Sequence, residues 1–143
     1  MLVSMDQKAL KILVVEDEPT LNELIGHALK VVPEFEIHLA MSGSQALDVL
    51  ENTVPDIILL DLIMPEMDGF EVLELVRSKP RFDRTACIIF TNLSQEVDRG
   101  RAKELGADNY FIKSDVDISR LREIVREEVA KRRALVDSQD AAE

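Results

Sequence analysis

Residues 57–69 read IILLDLIMPEMDG, and this segment sets the expected architecture. It opens with four consecutive apolar residues, 57–60, a length that suits a β-strand. A strand without polar alternation is expected where both faces of a sheet are covered, as in parallel sheets. Asp61 follows the strand, and Asp68 or Gly69 opens a predicted helix that ends before Pro80. The segment therefore predicts a strand, a loop and a helix in that order.

Further apolar runs of strand length occur at residues 12–15, 37–40, 87–90 and 110–112. The second of these alternates, which suits an edge strand, while the others are almost unbroken and predict strands covered on both faces. Helical periodicity fills the gaps between the runs. The strands therefore alternate with helices along the chain.

The helix signals differ in strength. One helix is predicted from Pro19, and a second opens at Ser42, which forms a capping box with Gln45. The fourth helix, over residues 95–105, is the weakest, because it offers few apolar side chains and contains Gly100. A fifth apolar stripe follows the last strand, at residues 118, 121, 124, 125 and 129.

This order predicts an α/β fold, a doubly wound sheet of about five parallel strands with five helices. A chain of 143 residues suits one domain with one core. We expect a leader over residues 1–10, the folded domain over 11–136 and a disordered acidic tail over 137–143.

Composition excludes several classes of protein. The formal net charge of −11 disfavours general binding to nucleic acid or to an anionic membrane surface. No apolar run approaches the roughly 20 residues that span a bilayer, and residues 1–8 lack the features of a signal peptide, so we expect a cytoplasmic protein. The single cysteine, Cys87, excludes an internal disulfide and predicts a buried structural thiol.

Polar residues directly after the predicted strands are Glu16, Asp17, Asp61, Thr91 and Lys113. In a sheet of this kind, ligands bind beside the carboxyl ends of the strands, so these side chains should converge. Three crowded carboxylates can stay ionised together only if a divalent cation or the lysine compensates them. Mg²⁺, a hard ion that prefers oxygen ligands, fits this demand.

The same set suggests a chemistry. Asp61 is the natural nucleophile, because a carboxylate can accept a phosphoryl group while a metal ion and Lys113 stabilise the phosphoryl oxygens. The hydroxyl of Thr91 can donate a hydrogen bond to one of those oxygens. Acids, a hydroxyl and a lysine at four different strand ends share no structural purpose, so the set indicates a functional site.

Four parts of the sequence together resemble the receiver domains of response regulators, over about residues 11–132. They are VVEDE at 14–18, the segment at 57–69, Thr91, and GADNYFIK at 106–113. The resemblance implies the flavodoxin-like strand order and phosphorylation by a sensor histidine kinase or a phosphotransfer protein. It also implies that the protein is a regulatory module and not an enzyme. The only reactions it would catalyse are its own phosphorylation and dephosphorylation.

Residue roles follow from the same resemblance. It makes Asp61 the phosphoacceptor, and it implies that Asp17 and Asp61 bind Mg²⁺ together with the main-chain carbonyl of Ile63. Glu16 contributes through water, and Lys113 pairs with the phosphoryl group.

Thr91 and Tyr110 match the family's switch pair, in which the hydroxyl moves toward the phosphate and the aromatic ring turns inward. The expected output is a surface formed by the fourth helix, fifth strand and fifth helix, which binds a downstream protein or a second copy of the chain. Two positions depart from the family pattern. Ser114 stands where proline usually follows the lysine, and Asn92 where a small residue usually follows the threonine.

Two rival functions are weighed against this hypothesis. A small aspartyl-phosphate phosphohydrolase also uses an Asp after a strand, but it usually needs a second acid two residues on, where this chain has Ile63. A nucleotide-binding α/β protein would need a glycine-rich loop after the first strand, where this chain has EDEP at 16–19.

Overall fold

A computed structural model describes residues 9–142. Five parallel strands form one sheet in the order β2-β1-β3-β4-β5. The strands are β1 Leu10–Val15, β2 Phe35–Ala40, β3 Ile57–Leu60, β4 Ala86–Thr91 and β5 Asn109–Ile112. The helices are α1 Pro19–Lys30, α2 Gly43–Asn52, α3 Gly69–Arg77, α4 Glu96–Glu104 and α5 Leu121–Ala142. The predicted doubly wound α/β fold and its flavodoxin-like strand order are confirmed.

Helices cover both faces of the sheet, and each face has its own core. Alternate residues of β1 point to opposite sides, with Leu13 in the core beneath α2, α3 and α4, and Ile12 in the core beneath α1 and α5. Strands β3 and β4 are buried throughout, as their unbroken apolar sequences predict. Together these three central strands give the sheet a rigid base.

The two edge strands differ from the sequence expectation in one respect. The alternating run in β2 does lie at an edge of the sheet. Strand β5 occupies the other edge, and all four of its residues are only half-buried, so the prediction that β5 is covered on both faces is wrong. Its apolar sequence reflects packing between α4 and α5, which leave part of the edge open.

Predicted helix ends are observed in detail. Ser42 accepts a hydrogen bond from the Gln45 amide at 3.0 Å, and the Gln45 side chain returns to the amide of Met41 at 2.8 Å. Asp68 caps α3 by accepting from the amide of Glu71. Gly106 has a φ of +103°, the left-handed conformation expected just after α4.

The chain ends do not follow the predicted boundaries. Helix α5 continues to Ala142, so the disordered tail predicted from Asp137 is wrong through that residue. Buried Val136 and an ion pair between Asp137 and Arg84 hold this part of the helix against the domain. At the other end β1 already includes Leu10, while residues 1–8 of the predicted leader lie outside the described residues.

Ser114 lies in a short 3₁₀ turn, Lys113–Asp115, that follows β5 directly. Among the helices of residues 9–142, none has the length and apolar composition that a membrane span requires.

Cys87 offers a direct test of core burial. Its side chain is completely buried, and this burial raises the pKa of its thiol to about 11, from an ordinary value of 9.0. Because the thiolate is the reactive form, its fraction at mildly alkaline pH should fall roughly a hundredfold. We expect iodoacetamide to leave Cys87 unmodified in the folded protein and to alkylate it in concentrated urea, as mass spectrometry would show. Equal rates in both states would contradict this burial.

Candidate functional site

The predicted site residues meet at the carboxyl edge of the sheet. Glu16 directly follows β1, Asp61 follows β3, Thr91 ends β4 and Lys113 follows β5. Four neighbouring strands thus deliver one side chain each, with Asp17 beside Glu16. An open cleft here is lined by Glu16, Asp17, Glu18, Pro19, Leu21, Asp61, Ile63, Asn92 and Lys113.

The three acids form one cluster. Carboxylate oxygens of Glu16, Asp17 and Asp61 lie within 4.8 Å of one another. Glu16 and Asp61 are almost fully buried, with only 2% and 4% of their surfaces exposed. Burial raises the pKa of Glu16, although hydrogen bonds from Lys113 and from the Glu18 amide act in the opposite direction. The cluster is therefore costly to keep ionised without a cation.

Lys113 supplies one positive charge to this cluster. Its Nζ donates to Asp61 Oδ2 at 2.8 Å and is also ion-paired with Glu16 Oε1. Burial by itself would lower the pKa of Lys113, but the two carboxylates outweigh burial and raise it. The lysine therefore stays protonated at neutral pH and holds the Asp61 carboxylate in place.

The charge balance fits a divalent cation. One lysine faces three carboxylates, which leaves negative charge uncompensated at the cleft. Glu16 Oε1 is buried and makes no well-directed hydrogen bond beyond its ion pair with Lys113. A set of oxygen donors with this surplus charge suits a hard ion such as Mg²⁺. The Asp61 side chain is already oriented, because Oδ1 accepts from the Ile63 amide at 3.2 Å.

The two predicted switch residues meet at a third residue. Thr91 is fully buried, and its Oγ1 accepts from the Leu93 amide at 3.4 Å. The hydroxyl of Tyr110 donates to the Leu93 carbonyl at 2.7 Å. Leu93 therefore links the pair through its backbone, a role that its side-chain type does not reveal in the sequence. Burial raises the pKa of Tyr110 and Asp98 adds to this, while Arg99 opposes it.

Glu18 and Asn92 lie at the rim of the cleft. The Glu18 side chain accepts from the amides of Thr20 and Leu21, so it caps the start of α1. Asn92, the departure next to Thr91, is exposed and lines the cleft.

Comparison with known proteins identifies the family. Residues 12–126 match the family model described as the response regulator receiver domain. The chain belongs to this family. The transcriptional regulatory protein CpxR of Escherichia coli is 36% identical over 119 residues, which cover 81% of this chain and 49% of CpxR. The chain spans about half the length of the curated relatives it matches.

Solved receiver structures agree with this membership. The receiver domain of a signal transduction histidine kinase from Syntrophus aciditrophicus is 32% identical, with a TM-score of 0.76 over 86% of this chain and 92% of that one. The receiver domain of the sensor histidine kinase PA1611 from Pseudomonas aeruginosa is 25% identical, with a TM-score of 0.75 over 85% of this chain and 98% of that one. That structure contains a magnesium ion coordinated in the active-site cleft. The response-regulator receiver predicted from the sequence is therefore confirmed, a domain of two-component signalling whose family implies Mg²⁺-dependent phosphorylation of an aspartate.

Gly69 packs directly against the backbone of the site, a contact that its place in the sequence does not reveal. A Cβ at Gly69 would lie 2.2 Å from the carbonyl oxygen of Asp61, whereas a Cβ at Gly100 in α4 would meet no atom within 4 Å. The start of α3 can therefore approach Asp61 only without a side chain.

We predict opposite effects for two otherwise identical substitutions. Gly69→Ala should lower the free energy of unfolding by about 1–3 kcal/mol, because the backbone at Asp61 and Leu62 must shift to admit the methyl group. Gly100→Ala should raise it by about 0.5–1 kcal/mol, since alanine restricts the unfolded chain and fits the helix. Urea unfolding of both variants measures this. A Gly69→Ala protein as stable as the parent would show that the Asp61 loop is not held as described.

Proposed function

We propose that Asp61 accepts a phosphoryl group from a histidine kinase or a phosphotransfer protein, and that this changes a protein-binding surface. The observation that carries the proposal is the contact of Lys113 Nζ with Asp61 Oδ2 at 2.8 Å inside a cluster of three carboxylates. A lone aspartate at a strand end needs no such partner. A nucleophile of a phosphoryl-transfer site needs both a positioned cation and a second positive charge.

The proposed metal ligands are Asp17, Asp61 and the main-chain carbonyl of Ile63, with Glu16 acting through water. When bound, Mg²⁺ would neutralise the acids and the charge of the incoming phosphoryl oxygens. Support comes from the surplus negative charge of the cluster and from the magnesium ion in the related PA1611 receiver. The buried Glu16 then serves mainly to increase the affinity of the cleft for a cation.

Phosphoryl transfer needs little movement of Asp61. One carboxylate oxygen forms a bond to phosphorus while the bond between phosphorus and the donor atom breaks, which gives an acyl phosphate. Lys113 is already beside Asp61 Oδ2, so its ammonium can turn from that oxygen to a phosphoryl oxygen. Thr91 can offer its hydroxyl proton to another phosphoryl oxygen once its Oγ1 leaves the Leu93 amide.

The proposed output surface is formed by α4, β5 and α5. Helix α4 buries only Ala102, and β5 is only half-buried, so both are weakly anchored compared with the central strands. Weakly packed elements shift at low cost in free energy. A downstream protein or a second copy of the chain would bind this surface after phosphorylation.

The rival phosphohydrolase function has less support. Such an enzyme usually needs an acid at position 63, where this chain places an isoleucine whose surface is 53% exposed at the mouth of the cleft. We therefore propose that the domain catalyses phosphoryl transfer only to and from itself.

Labelling with a small phosphodonor tests the phosphoacceptor. We expect acetyl phosphate to add one phosphoryl group in the presence of Mg²⁺, and chelation of the metal to reduce the rate more than about tenfold. Asp61→Asn should remain unlabelled because an amide cannot form the acyl phosphate. Asp83→Asn, which changes an exposed aspartate after α3, is the matched control and should label like the parent. Full labelling of Asp61→Asn would refute the assignment, as would indifference to chelation.

Lys113 should separate phosphorylation from its consequence. Lys113→Ala removes the ammonium that would hold the phosphoryl oxygens, so phosphorylation should no longer draw β5 toward the site. We expect this variant still to bind Mg²⁺, while the phosphorylation-induced NMR shifts around Tyr110 shrink to a small fraction of those of the parent. Lys30→Ala, an exposed lysine at the end of α1, serves as the control. Normal shifts at Tyr110 in Lys113→Ala would rule out this role.

A further inference from the structure

Helix α4 is held by unusual contacts. Its only buried side chain is Ala102, while Val97 is 70% exposed and Gly100 faces open space. A nine-residue helix normally needs an apolar stripe to remain docked, and this one has almost none. Other interactions must therefore position it on the domain.

Two arginines of α4 lie over aromatic rings. The guanidinium carbon of Arg99 is 4.7 Å from the centre of the Tyr110 ring, and that of Arg101 is 4.0 Å from the centre of the Phe70 ring. Residues two apart on a helix point about 200° away from each other, so the two arginines reach opposite sides of α4. One contact joins the helix to β5 and the other joins it to α3. Both distances are within the range of cation–π attraction.

Of these two rings, Tyr110 is the less buried, because it lies on the half-buried edge strand β5. Its hydroxyl donates to the Leu93 carbonyl in the loop before α4, and the Arg99 guanidinium covers its face. The ring of Phe70, by contrast, is only 5% exposed and belongs to the main core. Tyr110 is only half-buried and packs against the edge of this core, so its orientation depends on the loop at Leu93 and on Arg99 as well as on core packing.

A continuous set of contacts joins this ring to Thr91, one of the proposed site residues. Thr91 Oγ1 accepts from the Leu93 amide, the Leu93 carbonyl accepts from Tyr110, and Arg99 stacks on the Tyr110 ring. If the Thr91 side chain rotated toward a phosphoryl group, its Oγ1 would move away from the Leu93 amide. Leu93 could then shift, and its carbonyl would either lose its hydrogen bond to the Tyr110 hydroxyl or move together with it.

We propose that Arg99 is a positioning residue that holds the Tyr110 ring in its resting orientation, so that α4 and the ring move together. Arg99 touches no reacting atom, so its loss should leave phosphorylation intact. The Tyr110 ring, however, should already leave its resting orientation before phosphorylation. The part that concerns the response to phosphorylation rests on the proposed function of Asp61. The resting position of the ring does not depend on that function.

The composition of the chain allows a specific measurement. The protein contains one tyrosine and no tryptophan, so its intrinsic tyrosine fluorescence reports Tyr110 alone. Acrylamide quenching of this fluorescence measures how far the ring is exposed. Isotope labelling of tyrosine would give the ring's NMR signals as a second readout of its orientation.

The test compares substitutions at Arg99 with one at Arg101, without phosphorylation. Arg99→Ala should increase the ratio of released to stacked ring about two- to fivefold, the range expected for loss of one partly exposed cation–π contact. Arg99→Lys should restore most of the protection, because it keeps the cation. Arg101→Ala, which removes the other stack of the same helix, should leave quenching of Tyr110 close to that of the parent.

Unfolding curves check that each variant is folded, and Arg99→Met, which keeps the length of the side chain without its charge, replaces Arg99→Ala if the latter does not fold. The proposal is overturned if Arg101→Ala exposes Tyr110 as much as Arg99→Ala does, because both arginines then merely dock the helix. It is also overturned if quenching is the same in the parent and in every Arg99 variant.

A second arm adds Mg²⁺ and beryllium fluoride as a mimic of the phosphoryl group. The parent's tyrosine signal should change on this addition, and that of Arg99→Ala should change less, because its ring is already released. An equal change in both would overturn the coupling of Arg99 to the switch. A parent that does not respond would instead count against the proposed function of Asp61, while the resting comparison would still decide the role of Arg99.

Discussion

Crowding of negative charge at one edge of the sheet is the constraint on which the structure depends. Glu16 and Asp61 are almost fully buried beside Asp17, and Lys113 alone offsets them within the cleft, as far as residues 9–142 show. Buried like charges cannot persist unless cations compensate them. The resting cluster therefore carries surplus negative charge, which Lys113 offsets in part and which the proposed Mg²⁺ would offset further.

Carboxylates can be held this close together only if the strands that carry them do not move apart. The acids follow the central strands β1 and β3, whose last four residues each are buried, so the carboxylates cannot move apart without disturbing two cores. Gly69 adds a second restraint, because the start of α3 presses on the carbonyl of Asp61. The acids thus stay close together despite their repulsion, because the packing of two apolar cores contributes far more free energy than any single ionic contact.

The fold and the site are predictable from the sequence because both depend on simple periodicity. Apolar runs mark buried parallel strands, and a residue after each run must lie at the carboxyl edge, so Asp61 and Lys113 are expected together there. Contacts made by backbone atoms are beyond such reasoning. The link through the Leu93 carbonyl depends on how a loop folds, and the Arg99 stack depends on the rotation of α4, neither of which leaves a pattern in the sequence. The prediction of a disordered tail was wrong because α5 continues past buried Val136, the last residue of the predicted domain, and because the pairing of Asp137 with Arg84 leaves no pattern in the sequence.

Strand β5 is anchored very differently at its two ends, and this directs any movement. At its start, the Asp108 carboxylate binds Arg77 at 2.8 Å, Arg132 at 3.2 Å and the Cys87 amide at 2.8 Å, which ties α3, α5 and β4 together. At its far end, the Lys113 ammonium is held by the acids of the cleft, whose charge would change with the proposed phosphorylation of Asp61. Because the contacts of Asp108 do not involve the acids of the cleft, we expect β5 to move mainly at the end that carries Lys113. Tyr110 lies between the two ends, so a shift of Lys113 should reach the ring more readily than the anchored base of the strand.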